Sequence, residues 1–219
     1  MRNAIVIVIA LAVLALVTVF LRADTRTWTP VEVQRSTGAI ALDGETDEPD
    51  WQACGHTGTF VTRGGTEAAR PYSEAWILHD DRTLYLALYA ADQDLRRGSD
   101  VFEASFVSPR DGARVFMNFS IDGQLHERMS RDGDDVPGWK SGVRFAVDFD
   151  GTLDDPADED EEWIVEAAIP LAALGADPST REIRASLSRC DVPKDGIERC
   201  GEWGVGRRGE PAGIFRLLP

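Results

Sequence analysis

Histidine and cysteine are scarce in this chain, three of each. The histidines, His56, His79 and His126, fall in unrelated contexts. There is no HExxH, no GxSxG, no P-loop and no dinucleotide fingerprint, so enzyme chemistry built on those motifs is excluded. Positive charge is also short. The 23 Lys and Arg stand against 38 Asp and Glu, for a net charge of −15. Such a balance keeps a protein soluble and argues against nucleic acid or an anionic membrane surface as partner. Helical periodicity is nearly missing, and no internal repeat is evident. Paired carboxylates are plentiful, but a glycosidase needs two of them across a cleft, a separation that no sequence states. The expectation is a non-catalytic protein.

What is present begins with an apolar run from Ala4 to Phe20 behind Arg2. Residues 1–22 read as an export or anchor segment, slightly short for a spanning helix and slightly long for a signal-peptide core. Ala23 could sit beside a cleavage site, but Leu21 fits poorly two positions before it. That favours an uncleaved anchor with Arg2 inside, with a cleaved signal peptide as the alternative. Either places the rest of the chain outside the cytoplasm. Residues 23–35 read as a linker and 36–219 as one domain.

Cys190 and Cys200 flank the turn-rich stretch DVPKDGIER and read as a disulfide closing a hairpin, which an oxidising compartment permits. Free thiols or half of a metal site are the alternatives. No CxxC pair and no nearby histidine speak against metal. Cys54 is left over and reads as a small buried hydrophobe.

The central stretch runs from Trp76 to Leu95. Two apolar arms flank His79-Asp80-Asp81-Arg82-Thr83, which predicts a β-hairpin. With Asp81-Arg82 at the tip, His79 pairs with Leu84 and Ile77 with Leu86. Leu84, Leu86 and Leu88 then share one face with Ile77 and Ala75, while Tyr85 and Tyr89 share the other with Trp76 and Leu78. Alternation recurs over Phe102–Val107, Val115–Ile121, Val143–Phe149 and Trp163–Ile169. Phe145, Val147, Trp163, Val165 and Ile169 join Leu84, Leu86 and Leu88 as expected core. Asp122-Gly123 marks a second hairpin. Phe60 to Ala69 and Ser130 to Gly142 read as loops, and Asp150 to Glu162 as a solvated acidic excursion. Many short strands with frequent turns predict an all-β protein, an antiparallel β-sandwich of jelly-roll or immunoglobulin-like type.

Four pieces carry a resemblance. They are the polar turn followed by LYLALYAADQDL, Ile40-Ala-Leu-Asp-Gly-Glu-Thr-Asp-Glu-Pro-Asp-Trp51, Phe116-Met-Asn-Phe-Ser-Ile-Asp-Gly123 and Trp163-Ile-Val-Glu-Ala-Ala-Ile-Pro-Leu171. In this order they resemble the family 9 carbohydrate-binding modules and their DOMON-like relatives. The resemblance implies a sandwich with Trp51 packed at one end, glycan binding, and a structural calcium ion as candidate cofactor. It also implies an alternative, since DOMON-like relatives include cytochromes whose haem iron takes Met and His or Lys ligands. Met117 with His126 is the nearest match, and His79 a further one. A structural or interaction sandwich without small ligand is the third reading.

Sugar faces stack on aromatic rings with polar groups beside them. Trp139, between Gly138 and Lys140, is therefore the candidate platform, with Asp132, Asp134 and Asp135 as acceptors. Trp76 and Tyr89 are the second aromatic candidates, read more readily as buried. Asp92 and Asp94 place two carboxylates at a strand end, the candidate ligands of a hard cation. The expected partner is a polysaccharide or glycan, with membrane contact through the N-terminal segment only.

Overall fold

The computed structural model describes residues 27–219, so the apolar N-terminal run lies outside the described residues. Fourteen strands and two short 3-10 turns follow. In chain order the strands are β1 (Val31–Arg35), β2 (Gly55–His56), β3 (Val61–Thr62), β4 (Ser73–His79), β5 (Thr83–Ala91), β6 (Val101–Val107) and β7 (Arg114–Ser120). Then come β8 (Leu125–Arg131), β9 (Asp134–Asp135), β10 (Arg144–Asp150), β11 (Glu162–Pro170), β12 (Glu182–Asp191), β13 (Arg199–Trp203) and β14 (Gly213–Leu217). Among the described residues no helix is long and apolar enough to cross a membrane.

The strands form two layers. One runs β10-β11-β5-β4, with β2 on the far side of β4. The other runs β14-β12-β6-β7-β8-β9, with β13 on β12 and β3 on β13. β1 joins them. Its Val31, Glu32 and Val33 pair in parallel with β14, and its Gln34 and Arg35 pair in parallel with β4. A strand that changes sheets makes the corner of a sandwich. The stretch read from the sequence as linker thus supplies this corner strand, and its parallel pairings make the sheet mixed rather than purely antiparallel.

The β4–β5 hairpin has the expected register. His79 lies opposite Leu84, Ile77 opposite Leu86, and the Asp80 N–H donates to the Thr83 carbonyl at 2.9 Å across the Asp81-Arg82 tip. The inner faces of both layers meet in one core. Leu84, Leu86, Leu88, Trp163, Val165 and Ile169 from the first face Phe102, Phe106, Val115, Met117, Phe119 and Phe215 from the second. Phe102 and Trp163 touch across the layers with ring centroids 4.7 Å apart. Phe145 and Val147, expected in the core, are only half-buried. β10 pairs with β11 alone, so the rim of the sandwich leaves one flank of its side chains uncovered.

A smaller apolar cluster lies on the outer face of the first layer. Trp51, in a 3-10 turn, packs on Leu78 and Ala87 with Ile40, Trp76 and Tyr85 around it. Trp51 is thus buried as the resemblance implied, but on the outer face of the first layer rather than at the end of the sandwich. Cys190 and Cys200 sit opposite each other on β12 and β13 and are disulfide-bonded, with Cα atoms 4.2 Å apart. Two loops differ from expectation. Residues 60–69 hold β3 behind a fully buried Phe60, and residues 130–142 begin with a hairpin in which β9 pairs with the end of β8. The tip of that hairpin is Asp132-Gly133, both at positive φ, an arrangement that favours the short polar side chain and the glycine found there.

Candidate functional site

Strand parity defines the outer face of the second layer. Phe102, Ala104 and Phe106 of β6 point inward and are buried, so Glu103 and Ser105 point outward. On β7 the inward Val115, Met117 and Phe119 leave Phe116 and Asn118 outside. On β12 the inward Ile183, Ala185 and Leu187 leave Ser186 and Ser188 outside. The pairing register lines these outward residues into two rows. One is Glu202, Ser188, Glu103, Asn118 and His126, running across β13, β12, β6, β7 and β8. The other is Ser186, Ser105, Phe116 and Arg128.

A groove follows the rows. Two cavities of about 340 and 450 Å³ share Glu103, Ser105 and Gly209 in their walls and together span β12 to β8. Its polar groups are partly pre-set. The Ser188 hydroxyl donates to Glu103 Oε2 at 3.0 Å, and the Gly64 N–H donates to Glu202 Oε1 at 3.0 Å. The Arg128 guanidinium lies 3.8 Å above the Phe116 ring and is held by Asp135 at 3.1 Å. Carboxylate, hydroxyl, amide and imidazole groups therefore converge beside one aromatic ring. Such a surface can hydrogen-bond a polyhydroxylated ligand from several directions.

A second constellation closes one end of the core. Asp92 follows β5, Asp100 precedes β6 and Asp191 ends β12, and all three are buried around the buried Arg189. Burial is the main force on each carboxyl. It raises Asp92, lifts Asp100 to about 8 and lifts Asp191 to about 6, with the neighbouring carboxylates adding to the rise and Arg189 opposing it. Asp92 and Asp191 also line a cavity of about 800 Å³, together with Arg70, Tyr72 and Arg199.

The residues singled out from the sequence are dispersed. Trp139 is half-buried and packs against the main core, and Ser141 behind it is held by Glu127, which shares the inner face of the sheet with Met117. It thus lies on the side of β8 away from the groove. Asp134 and Asp135 are exposed on β9, and Asp135 reaches the groove only through Arg128. Trp76 and Tyr89 are half-buried on the outer face of the other layer, ring centroids 5.8 Å apart. Asp92 enters the carboxylate cluster, whereas Asp94 ion-pairs with Arg96 at 2.7 Å. Met117 lies in the core and pairs with Glu127, while the exposed His126 pairs with Asn118, so the two point to opposite faces of the sheet. His79 is buried with its Nε2 2.8 Å from the Leu218 carbonyl, to which an N–H there donates. These positions do not form a shared axial-ligand pocket for haem. Contrary to the reading of the sequence, the bare glycine spacing of a dinucleotide loop is present, as Gly204-Val-Gly206-Arg-Arg-Gly209, but it joins β13 to β14 with no helix after it, so the mechanism behind that spacing is missing.

No protein-family model matches the sequence, and a search of curated proteins finds no match. Solved structures do match. A family 9 carbohydrate-binding module from Caldicellulosiruptor kristjanssonii in complex with cellotriose aligns with a TM-score of 0.60 and 14% identity, over 85% of this chain and 93% of that one. A family 9 module from the same organism in complex with glucose gives 0.59 and 15%, over 85% and 95%. This chain has the fold of a family 9 carbohydrate-binding module. A candidate carbohydrate-binding protein from Bacteroides uniformis shares it, with a TM-score of 0.61 and 13% identity over 88% of this chain and 99% of that one. At such identities the likeness is one of fold, and folds of this kind host several functions.

Proposed function

We propose that this chain is a non-catalytic carbohydrate-binding domain whose site is the groove on the outer face of β12, β6, β7 and β8. The observation that carries the reading is the pair of cross-strand rows, Glu202-Ser188-Glu103-Asn118-His126 and Ser186-Ser105-Phe116-Arg128. Neighbouring strands lie about 4.8 Å apart, so each row offers polar groups at a spacing comparable to the hydroxyls around a sugar ring. Carboxylate and amide oxygens accept from hydroxyls, His126 donates to them, and the Arg128 guanidinium, stacked on the Phe116 ring, presents further donors. The likeness to modules solved with cellotriose and glucose supports the same class of ligand. The ligand we assign is a polysaccharide or oligosaccharide, bound weakly, with Kd in the range of about 1 μM to 1 mM given so small an aromatic contribution.

The domain belongs, on this reading, outside the cytoplasm, exported or anchored by residues 1–22. The Cys190–Cys200 bond supports that placement, because such bonds persist in oxidising compartments. The test is retention of the chain on a panel of insoluble polysaccharides, with titration calorimetry against cellotriose and glucose. Asn118→Ala and Phe116→Ala should each weaken binding about tenfold, the equivalent of ~1.4 kcal/mol, without loss of fold. Retention on no polysaccharide, or folded variants that bind as tightly as the unaltered chain, would overturn the assignment.

A further inference from the structure

Charge is unevenly spread over this molecule. The chain as a whole carries −15, yet the outer face of the second layer collects guanidinium groups. Outward parity gives Arg184 on β12 and Arg114 on β7, both exposed. The pairing register sets them in a third row, Arg184, Val107, Arg114 and Ser130, beside the two rows of the groove. Arg114 is the outward neighbour of Phe116, whose ring carries Arg128. The turn between β13 and β14 adds two more. Its Gly206 N–H donates to the Glu210 carbonyl at 2.7 Å and its Gly209 N–H to the Gly206 carbonyl at 3.0 Å, which leaves Arg207-Arg208 at the tip. Arg207 and Arg63 both line the cavity of about 340 Å³.

These groups are little neutralised. Elsewhere on the surface Arg35, Arg97 and Arg216 are ion-paired with Asp81, Asp154 and Glu32. Arg114, Arg184, Arg207 and Arg208 form no ion pair among the described residues. Glu210 lies nearby, but its Oε2 accepts from the Arg208 N–H at 2.8 Å and so serves the backbone of the turn. Arg63 has Glu198 only at 4.0 Å. Within the groove, Glu202 is buried and takes the Gly64 N–H, and Glu103 takes the Ser188 hydroxyl. On this face Arg63, Arg114, Arg128, Arg184, Arg207 and Arg208 thus outnumber Glu103, Glu202, Glu210 and Asp135. Charges more than about 8 Å away through water are largely screened at physiological salt, so a ligand in the groove responds to these groups more than to the acidic remainder. Stacking offers a neutral sugar little, because Phe116 is the only phenyl or indole ring in the groove walls and Arg128 covers it.

We infer that the glycan taken by this groove is an acidic polysaccharide, one whose sugars carry carboxylate or sulfate groups as well as hydroxyls. The inference rests on the carbohydrate reading of the groove and narrows it to a ligand class. A guanidinium fork offers two parallel N–H donors to a carboxylate or sulfate. The row from Glu202 to His126 reads hydroxyls, while the Arg184–Arg114 row and the Arg207-Arg208 tip read the acidic groups. Arg184 and Arg114 stand two strands apart, about 10 Å, so they meet acidic groups on different sugars of one chain.

The test uses the full chain in a neutral detergent, titrated with oligogalacturonate and with the same oligomer methyl-esterified, then with dextran sulfate and with dextran. The charged member of at least one pair should bind about tenfold tighter than its uncharged counterpart, and that advantage should shrink as salt is raised. Which pair shows it names the acidic group. The Arg184→Gln/Arg207→Gln double variant should lose most of the advantage. The Arg82→Gln/Arg144→Gln double variant removes the same charge from exposed positions of the first layer and should keep it. Equal affinity for both members of both pairs, in a chain that binds cellotriose, would overturn the acidic ligand and leave the carbohydrate reading standing. This comparison is made on the unaltered chain and so decides whether or not the variants fold. Binding to none of these glycans would overturn both readings. An advantage lost equally in Arg82→Gln/Arg144→Gln would also overturn the inference, since overall charge rather than this face would then be its cause.

Discussion

Glu166 sits on β11 with 0% exposure, on the outer face of the first layer. Its Oε2 accepts from the N–H groups of Asp43 at 3.2 Å and Gly44 at 3.1 Å, and so clamps the segment that carries Trp51 onto the sheet. Gly44 is needed there, because its φ is +92° and a Cβ would lie 2.5 Å from that of Asp148. Burial lifts the Glu166 carboxyl to about 7, with Glu48 and Asp43 adding to the rise and the two N–H donors opposing it. The folded value lies above the unfolded one of 4.5. The protonated form therefore favours folding, a contribution fully present below pH 4.5 and lost as pH rises through about 7. Glu166→Gln keeps an acceptor for the two N–H groups and removes the titration. Relative to the unaltered chain, the variant should gain on the order of 3 kcal/mol between pH 4.5 and pH 8, measured by denaturant unfolding at each pH. A difference that stays constant with pH would count against the buried charge. Trp139 gives a second test at this scale. Because it packs against the core, Trp139→Ala should lower stability by about 1–3 kcal/mol, less than a fully buried Trp would. The fraction that remains folded should bind polysaccharide as before, whereas lost binding at full stability would return Trp139 to the site.

At the scale of elements, legibility followed the strength of local constraints. The β4–β5 hairpin was readable down to its register because a two-residue polar tip fixes which residues pair, and a slip by one would turn Leu84, Leu86 and Leu88 outward. The place of β5 in the sheet, between β4 and β11 with both flanks paired, was not readable. Leu86→Ala at that position should cost about 2–5 kcal/mol, and a loss under ~0.5 kcal/mol in urea unfolding would show the leucine face to be uncovered. Phe145→Ala on β10 should cost less, since an edge strand leaves its side chain half-exposed and able to relax. β10 shows the same alternation as the central strands, and alternation reports which face points inward but not how many neighbours cover it. β1 was missed for a related reason. Val31 and Val33 form too short an alternation to stand out among Thr, Trp and Pro, and its worth comes wholly from two distant partners, β14 and β4.

At the scale of the molecule, the candidate site was invisible in sequence because it consists of ordinary outward residues. Ser105, Asn118, Ser186 and Ser188 look like any solvated strand face until β12 is laid beside β6, a pairing of residues about eighty positions apart. The carboxylate cluster was half visible. Asp92 drew notice beside Asp94, but Asp100 and Asp191 enter only when three strand ends meet. The assembled sandwich keeps the two regions apart. The groove lies on the outer face of the second layer, while the buried carboxylates and the Cys190–Cys200 bond lie at one end of it, where Cys190 adjoins both Arg189 and Asp191. The bond closes a loop with a sequence separation of 10, so its loss should cost about 2–3 kcal/mol through the unfolded chain. The Cys190→Ser/Cys200→Ser pair should therefore melt several degrees lower and still bind polysaccharide with unchanged affinity at temperatures where it remains folded. β12 and β13 both run from the groove to the bond, since Ser186 and Ser188 lie a few residues before Cys190 and Glu202 lies just after Cys200. If opening the bond weakened sugar binding in the folded protein, the ends of β12 and β13 would have to move with it, and the groove and the bond would form one energetic unit.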